Sequence, residues 1–121
     1  MKLKLISSFL VTTCLYGGSI FTYAADVQFN NQSKYDLFLS EDNNTSPTRF
    51  FNSGTSITID ETNFKKICRN QPNQCKFYIF RKFDGNIATV TFQETTVTTI
   101  SNTMSEISVS GYNSNVIIEN L

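Results

Sequence analysis

The sequence predicts an all-β fold, a small antiparallel β-sandwich of roughly seven to nine short strands with one short helix and one disulfide. Apolar and polar residues alternate with a period of two along most of the chain, and Thr, Val, Ile, Phe and Tyr are frequent in the alternating segments. Turn residues interrupt these segments at intervals of about ten residues. A small β-barrel is the alternative, because alternation alone does not distinguish one closed sheet from two packed sheets.

Residues 1–24 are predicted to be a cleaved signal peptide. They combine a basic start with an apolar stretch from Leu5 to Tyr16 and end in the small residue Ala24, which signal peptidase favours before the cut. Residues 25–121 would then form a single β-sandwich domain, which is secreted or periplasmic. Two alternatives are a retained membrane anchor and a lipoprotein attached through Cys14.

The first half of the mature chain contains four predicted strands. In three of them the apolar residues recur at alternate positions, which places one face of each strand toward a core, whereas the strand at Phe50 and Phe51 is marked by consecutive apolar residues. Polar segments that contain Asn, Ser, Gly or Pro separate them. The apolar residues that mark the four strands are Val27 and Phe29, then Tyr35, Leu37 and Leu39, then Phe50 and Phe51, and then Ile57 and Ile59.

A short helix is predicted between Asp60 and Cys68, because the period of the apolar residues changes there. Phe64, Ile67 and Cys68 recur with helical spacing. Asp60 is placed to cap the helix, Glu61 falls in the first turn and two lysines fall in the last turn. This distribution of charge complements the helix dipole.

The strongest local signal is a β-hairpin at Asp84 and Gly85. An Asp-Gly pair between two alternating apolar runs is typical of a tight hairpin turn. The strand before it, KFYIFRKF, is apolar on both faces, which indicates a central position in a sheet. The strand after it, IATVTF, should pair with it antiparallel. Three further strands are marked by Val97 to Ile100, by Ile107 and Val109, and by the final segment VIIEN.

Cys68 and Cys75 are predicted to form a disulfide. They are the two cysteines that remain after removal of the leader, and an exported chain reaches an oxidising compartment. Closing this short loop would stabilise the fold by about 2.5 kcal/mol in the chain-entropy model. A redox or metal site is the alternative, but the spacing is not CxxC and no His completes a zinc site.

Six basic residues fall between positions 65 and 82 with no acidic residue among them, whereas acidic residues exceed basic ones in the rest of the mature chain. If these side chains share one face, they would bind an anionic surface or ligand. The alternative is that they only solubilise an exposed helix and strand end. Nucleic acid is not an expected partner, because the chain is not basic overall. The candidate contact residues are Lys65, Lys66, Arg69, Lys76, Arg81 and Lys82, with the neighbouring aromatics Tyr78 and Phe83.

A structural or assembly subunit is the second functional hypothesis. Phe38, Phe50 and Phe51 include candidates for outward-facing aromatics, although a second apolar face covered by other parts of the fold is the alternative. The first and last strands, if they lie at sheet edges, could accept a strand from a partner.

Catalysis is not expected. The chain has no His, the commonest general base, and lacks the GxSxG, GxGxxG and SxxK motifs. We therefore expect no cofactor, no metal site and no catalytic residue, although the loop EDNNTSP at 41–47 offers oxygen atoms of the kind that calcium binds. A small enzyme remains the least favoured of the three hypotheses.

Overall fold

The structure is a computed structural model that describes residues 25–41 and 49–121. The predicted signal peptide, and all but the first residue of the loop weighed for calcium, lie outside the described residues. The elements within them are β1 (Val27–Gln32), β2 (Leu37–Ser40), β3 (Arg49–Phe51), β4 (Ser56–Ile59), α1 (Glu61–Ile67), β5 (Cys75–Arg81), β6 (Gly85–Gln93), β7 (Thr96–Asn102), β8 (Ile107–Tyr112) and β9 (Asn115–Asn120).

The nine described strands form two sheets, which confirms the predicted small β-sandwich. The four-stranded sheet has the order β4-β1-β9-β8, and the five-stranded sheet has the order β3-β2-β5-β6-β7. Because the sheets are separate, the barrel alternative does not apply. The predicted central strand, β5, lies in the middle of its sheet.

One strand pair departs from the predicted antiparallel arrangement. β1 and β9 pair in parallel, with Phe29 opposite Val116, and both lie inside the four-stranded sheet. The prediction that the first and last strands form sheet edges is therefore wrong. Alternation of apolar residues reports which face of a strand is buried, but it carries no information on the neighbour or its direction. The edges are β4 and β8 in this sheet and β3 and β7 in the other.

An aromatic cluster fills the centre of the sandwich. Phe29 of the four-stranded sheet contacts Phe77 and Phe92 of the five-stranded sheet, with ring centroids 5.6 and 5.9 Å apart. Phe64 of α1 stacks on Phe77 at 5.4 Å. All four side chains are buried. Burial of such large apolar areas is the main source of stability in a domain of this size.

The predicted helix forms as α1, and its ends match the sequence signals. The Asp60 carboxylate accepts a hydrogen bond from the backbone N–H of Asn63 at 2.8 Å, which satisfies one of the free donors of the first turn. The disulfide between Cys68 and Cys75 is confirmed, with Cα atoms 5.4 Å apart. It ties the end of α1 to the start of β5.

The two sheets also meet along one side of the sandwich, where β7 lies against β8. The backbone N–H of Val97 donates to the carbonyl of Asn113 at 2.8 Å. Gly111 makes this approach possible, since a Cβ atom added there would lie 2.8 Å from Cγ1 of Val97. The absence of a side chain at Gly111 therefore sets the distance between the two sheets at this side.

Candidate functional site

The structure divides the predicted basic residues into two groups. Lys65, Lys66 and Arg69 lie on and just after α1, at the end of the sandwich where β5 begins. Lys65 forms an ion pair with Glu61 at 2.8 Å. The hydrogen bond and the charge of that carboxylate raise the pKa of Lys65 above its usual value, which keeps its amine charged.

Arg81 and Lys82 lie at the opposite end of β5. The Arg81 guanidinium pairs with Asp84 at 3.3 Å and lies over the ring of Tyr35 at 4.2 Å. Lys82 lies over the ring of Phe83 at 5.2 Å. Both cations are therefore engaged with their own neighbours, and Phe83 is 94% exposed at the tip of the β5–β6 hairpin.

The register of β5 separates these groups. Lys76 pairs with Thr91 and Arg81 pairs with Gly85, so five residues, or about 17 Å of strand, lie between the two cations. An odd separation also places their side chains on opposite faces of the sheet. The six basic residues thus do not form one continuous surface.

A shallow groove beside the disulfide brings together two predicted site residues from the strand and several polar side chains. It has a volume of about 380 Å³. Lys76 and Tyr78 contribute to it from β5, Asn70 and Gln71 from the segment after α1, and Glu41 from the end of β2. We call it the disulfide groove.

Three phenylalanines form a row on the outer face of the five-stranded sheet, and we call it the aromatic row. Phe50 of β3 and Phe80 of β5 are both directly opposite Phe38 of β2, so all three side chains project from the same face. The rings of Phe38 and Phe50 have centroids 5.4 Å apart. Phe50 is 77% exposed, Phe38 is partly exposed and Phe80 is mostly covered.

Phe51, the third of these aromatics, belongs to the core, so the outward-facing members of the set are Phe38 and Phe50. Its side chain is fully buried and makes an edge-to-face contact with Phe29 at 6.3 Å. Phe80, by contrast, is buried without joining the core cluster. The sequence predicts that the strand KFYIFRKF is apolar on both faces, but the link of Phe80 to Phe38 and Phe50 depends on the pairing of three strands, which alternation does not predict.

On the side of the aromatic row toward Tyr78, the outer face is polar and carries little charge. The strand registers place two further rows of side chains on it, one that includes Tyr78 and one that includes Lys76. Lys76 is the one charged residue in either row. The members of the two rows are Ser40, which is buried, Tyr78, Thr89 and Ser101, and then Lys76, Thr91 and Thr99.

The comparisons with known proteins give no family for the chain. No family model matches it, and no curated protein or solved structure matches it either. Within residues 25–41 and 49–121, no three His, Cys, Asp or Glu side chains are grouped so that they could hold a metal ion. In the same part of the chain, no helix is long and apolar enough to cross a membrane.

Proposed function

We propose that this protein is an exported, non-catalytic binding module whose contact surface is the outer face of the five-stranded sheet. The aromatic row carries the proposal. A phenylalanine that is 77% exposed, in ring contact with a second one on the neighbouring strand, leaves apolar area in water that a partner would cover. Aromatic anchors of this kind dominate the binding energy of many interfaces.

The geometry favours this face over the basic segment as a single site. Lys65 is paired with Glu61, and Arg81 is paired with Asp84. The remaining cations are divided between the two ends of β5. The aromatic row, by contrast, is continuous over three neighbouring strands.

Export is supported by two features of the chain. Residues 1–24 have the basic and apolar pattern of a signal peptide. Cys68 and Cys75 are paired in the fold, and structural disulfides persist in oxidising compartments. A partner on the cell surface, in the periplasm or in the medium follows from this destination.

Electrostatic binding of an anionic surface through the helix end of the basic segment is a second candidate. Lys66 and Arg69 are exposed, and neither forms an ion pair with another described residue. Lys76 projects into the disulfide groove nearby. Binding of this kind would weaken strongly as the salt concentration rises, because exposed charges are screened over about 8 to 10 Å at physiological ionic strength.

A binding assay tests the proposed contact surface. Purified protein is mixed with envelope and extracellular material from the cells that export it, and the fraction of the protein retained on that material is measured. Phe50→Ala should reduce retention about tenfold, as expected for the loss of an aromatic anchor. The matched control is Tyr112→Ala, because Tyr112 is 78% exposed but lies on β8 of the other sheet. Equal retention of Phe50→Ala, Tyr112→Ala and the unmodified protein would refute the outer face as the contact surface. If retention fell only in Lys66→Ala or Arg69→Ala, the second candidate would be supported instead.

A further inference from the structure

We propose that the partner of the outer face is a neutral polysaccharide, an uncharged chain of sugar rings that crosses the aromatic row and ends in the disulfide groove. The inference rests on the proposed function and names the chemistry of its ligand. Three features of the face support it: the exposed ring of Phe50 beside the partly exposed ring of Phe38, two adjoining rows rich in hydroxyl groups, and a groove that offers amide groups.

The aromatic row matches the apolar part of a sugar. A pyranose ring carries C–H groups on its faces and hydroxyls around its rim, so its face packs on an aromatic ring while its hydroxyls remain available for hydrogen bonds. Phe50 and Phe38 offer two such rings, 5.4 Å apart on neighbouring strands. Two adjacent rings suit successive sugars of a chain better than a single sugar.

The charge of the face also matches a neutral ligand. Thr89, Thr91, Thr99 and Ser101 lie on β6 and β7, in the two rows on one side of the aromatic row, and their hydroxyls both donate and accept hydrogen bonds. Lys76 is the one charge in the three rows that the strand registers define. An anionic glycan or a strongly charged protein would find little opposite charge to pair with across this surface.

The disulfide groove extends the contact beyond the sheet. Its volume of about 380 Å³ lies within the range of small-molecule sites. Asn70, Gln71 and Tyr78 line it, and Lys76 and Glu41 add one charge of each sign to its wall. Amide groups present a donor and an acceptor together, which fits the hydroxyl pairs of a sugar. Tyr78 belongs to the row of side chains next to the aromatic row, so the groove is continuous with it.

Selective destruction of the partner tests the inference on the same envelope and extracellular material. One sample is treated with periodate, which cleaves the vicinal diols of sugars, and another with a broad protease. We expect periodate to abolish retention of the protein and protease to leave it unchanged. If the protein is still retained after periodate treatment but not after protease treatment, the partner is a protein and the polysaccharide proposal is overturned. The proposed contact surface would still stand in that case if Phe50→Ala reduced retention.

Affinity electrophoresis in gels that contain a purified soluble polysaccharide provides the second arm. Separate gels contain hydroxyethylcellulose, galactomannan or the anionic polymer alginate. We expect retardation by a neutral polymer, a dissociation constant about tenfold weaker for Phe50→Ala, and about threefold weaker for Gln71→Ala. Tyr112→Ala should migrate as the unmodified protein does. Retardation by alginate alone, lost in high salt, would overturn the inference and favour the helix-end cations.

Discussion

The side-chain amide of Asn31, on β1 of the four-stranded sheet, donates a hydrogen bond of 2.8 Å to the carbonyl of Phe51, on β3 of the five-stranded sheet. A second bond of 2.8 Å runs from the same amide to the carbonyl of Tyr35. The Asn31 oxygen accepts from the backbone and hydroxyl of Ser33. This buried side chain is thus fully bonded, and it joins the two sheets next to the strand that carries Phe50.

Replacement of Asn31 by Asp should destabilise the protein by about 2 to 4 kcal/mol. The change keeps the shape but turns the amide donor into an acceptor that faces two carbonyls, so two buried hydrogen bonds are lost. Urea unfolding, followed by circular dichroism, measures the difference. Asn52→Asp is the matched control, because Asn52 is exposed, and it should change stability by less than about 0.5 kcal/mol. Equal stability of both variants would contradict the role assigned to Asn31.

Gly111→Ala should destabilise the sandwich by about 1 to 3 kcal/mol, because the new methyl group would lie against the stiff side chain of Val97. A double-mutant cycle with Val97→Ala checks the cause. The truncation at Val97 should recover much of the loss in the Gly111→Ala background, which gives a clear coupling energy. Strictly additive effects would show that Gly111 has another role.

Removal of the disulfide by the paired change Cys68→Ala and Cys75→Ala should lower the free energy of unfolding by about 2.5 kcal/mol. The main reason is the greater freedom of the unfolded chain, since Cys68 directly follows α1 and Cys75 is the first residue of β5 in the folded state. Thermal unfolding of the unmodified protein and of the variant, each with and without a reducing agent, measures the contribution of the disulfide. The reducing agent should lower the melting temperature of the unmodified protein and leave that of the variant unchanged.

Asp60→Ala should lower stability by about 1 kcal/mol through loss of the cap on α1. Asp60→Asn retains a side-chain oxygen that can accept from the backbone of Asn63, so it should recover most of that stability. Chemical denaturation of the two variants side by side measures the difference. If the two variants were equally destabilised, the negative charge at the helix start, and not the cap, would be the main contribution.

The features that the sequence predicted well depend on local physics. The helix between Asp60 and Cys68 is marked by its cap and by the change of apolar period. The β5–β6 hairpin forms where Asp84 and Gly85 predict one, although its turn spans Lys82 to Asp84 and Gly85, with a φ of 75° that a glycine adopts without strain, already begins β6. Each signal lies within a few residues of the structure that it determines. It can therefore be recognised without knowledge of the rest of the fold.

The features that the sequence could not predict depend on contacts between distant segments. The parallel pairing of β1 with β9 joins the first and last strands of the described residues. The aromatic row requires the registers of β2 with both β3 and β5 to be known together. The basic residues are close in sequence, but β5 carries them to opposite ends and opposite faces. Adjacency along the chain was therefore a poor guide to the candidate site.

Hydroxyl-radical footprinting with mass spectrometry tests the central claim most directly, because it works even when the partner has not been identified. The protein is oxidised free in solution and while retained on the envelope and extracellular material. We expect protection of Phe50, Phe38 and Tyr78, with Phe83 and Tyr112 equally reactive in both samples as exposed internal controls. Protection of Phe83 or Tyr112, with Phe50 still reactive, would contradict the assignment of the outer face as the contact surface.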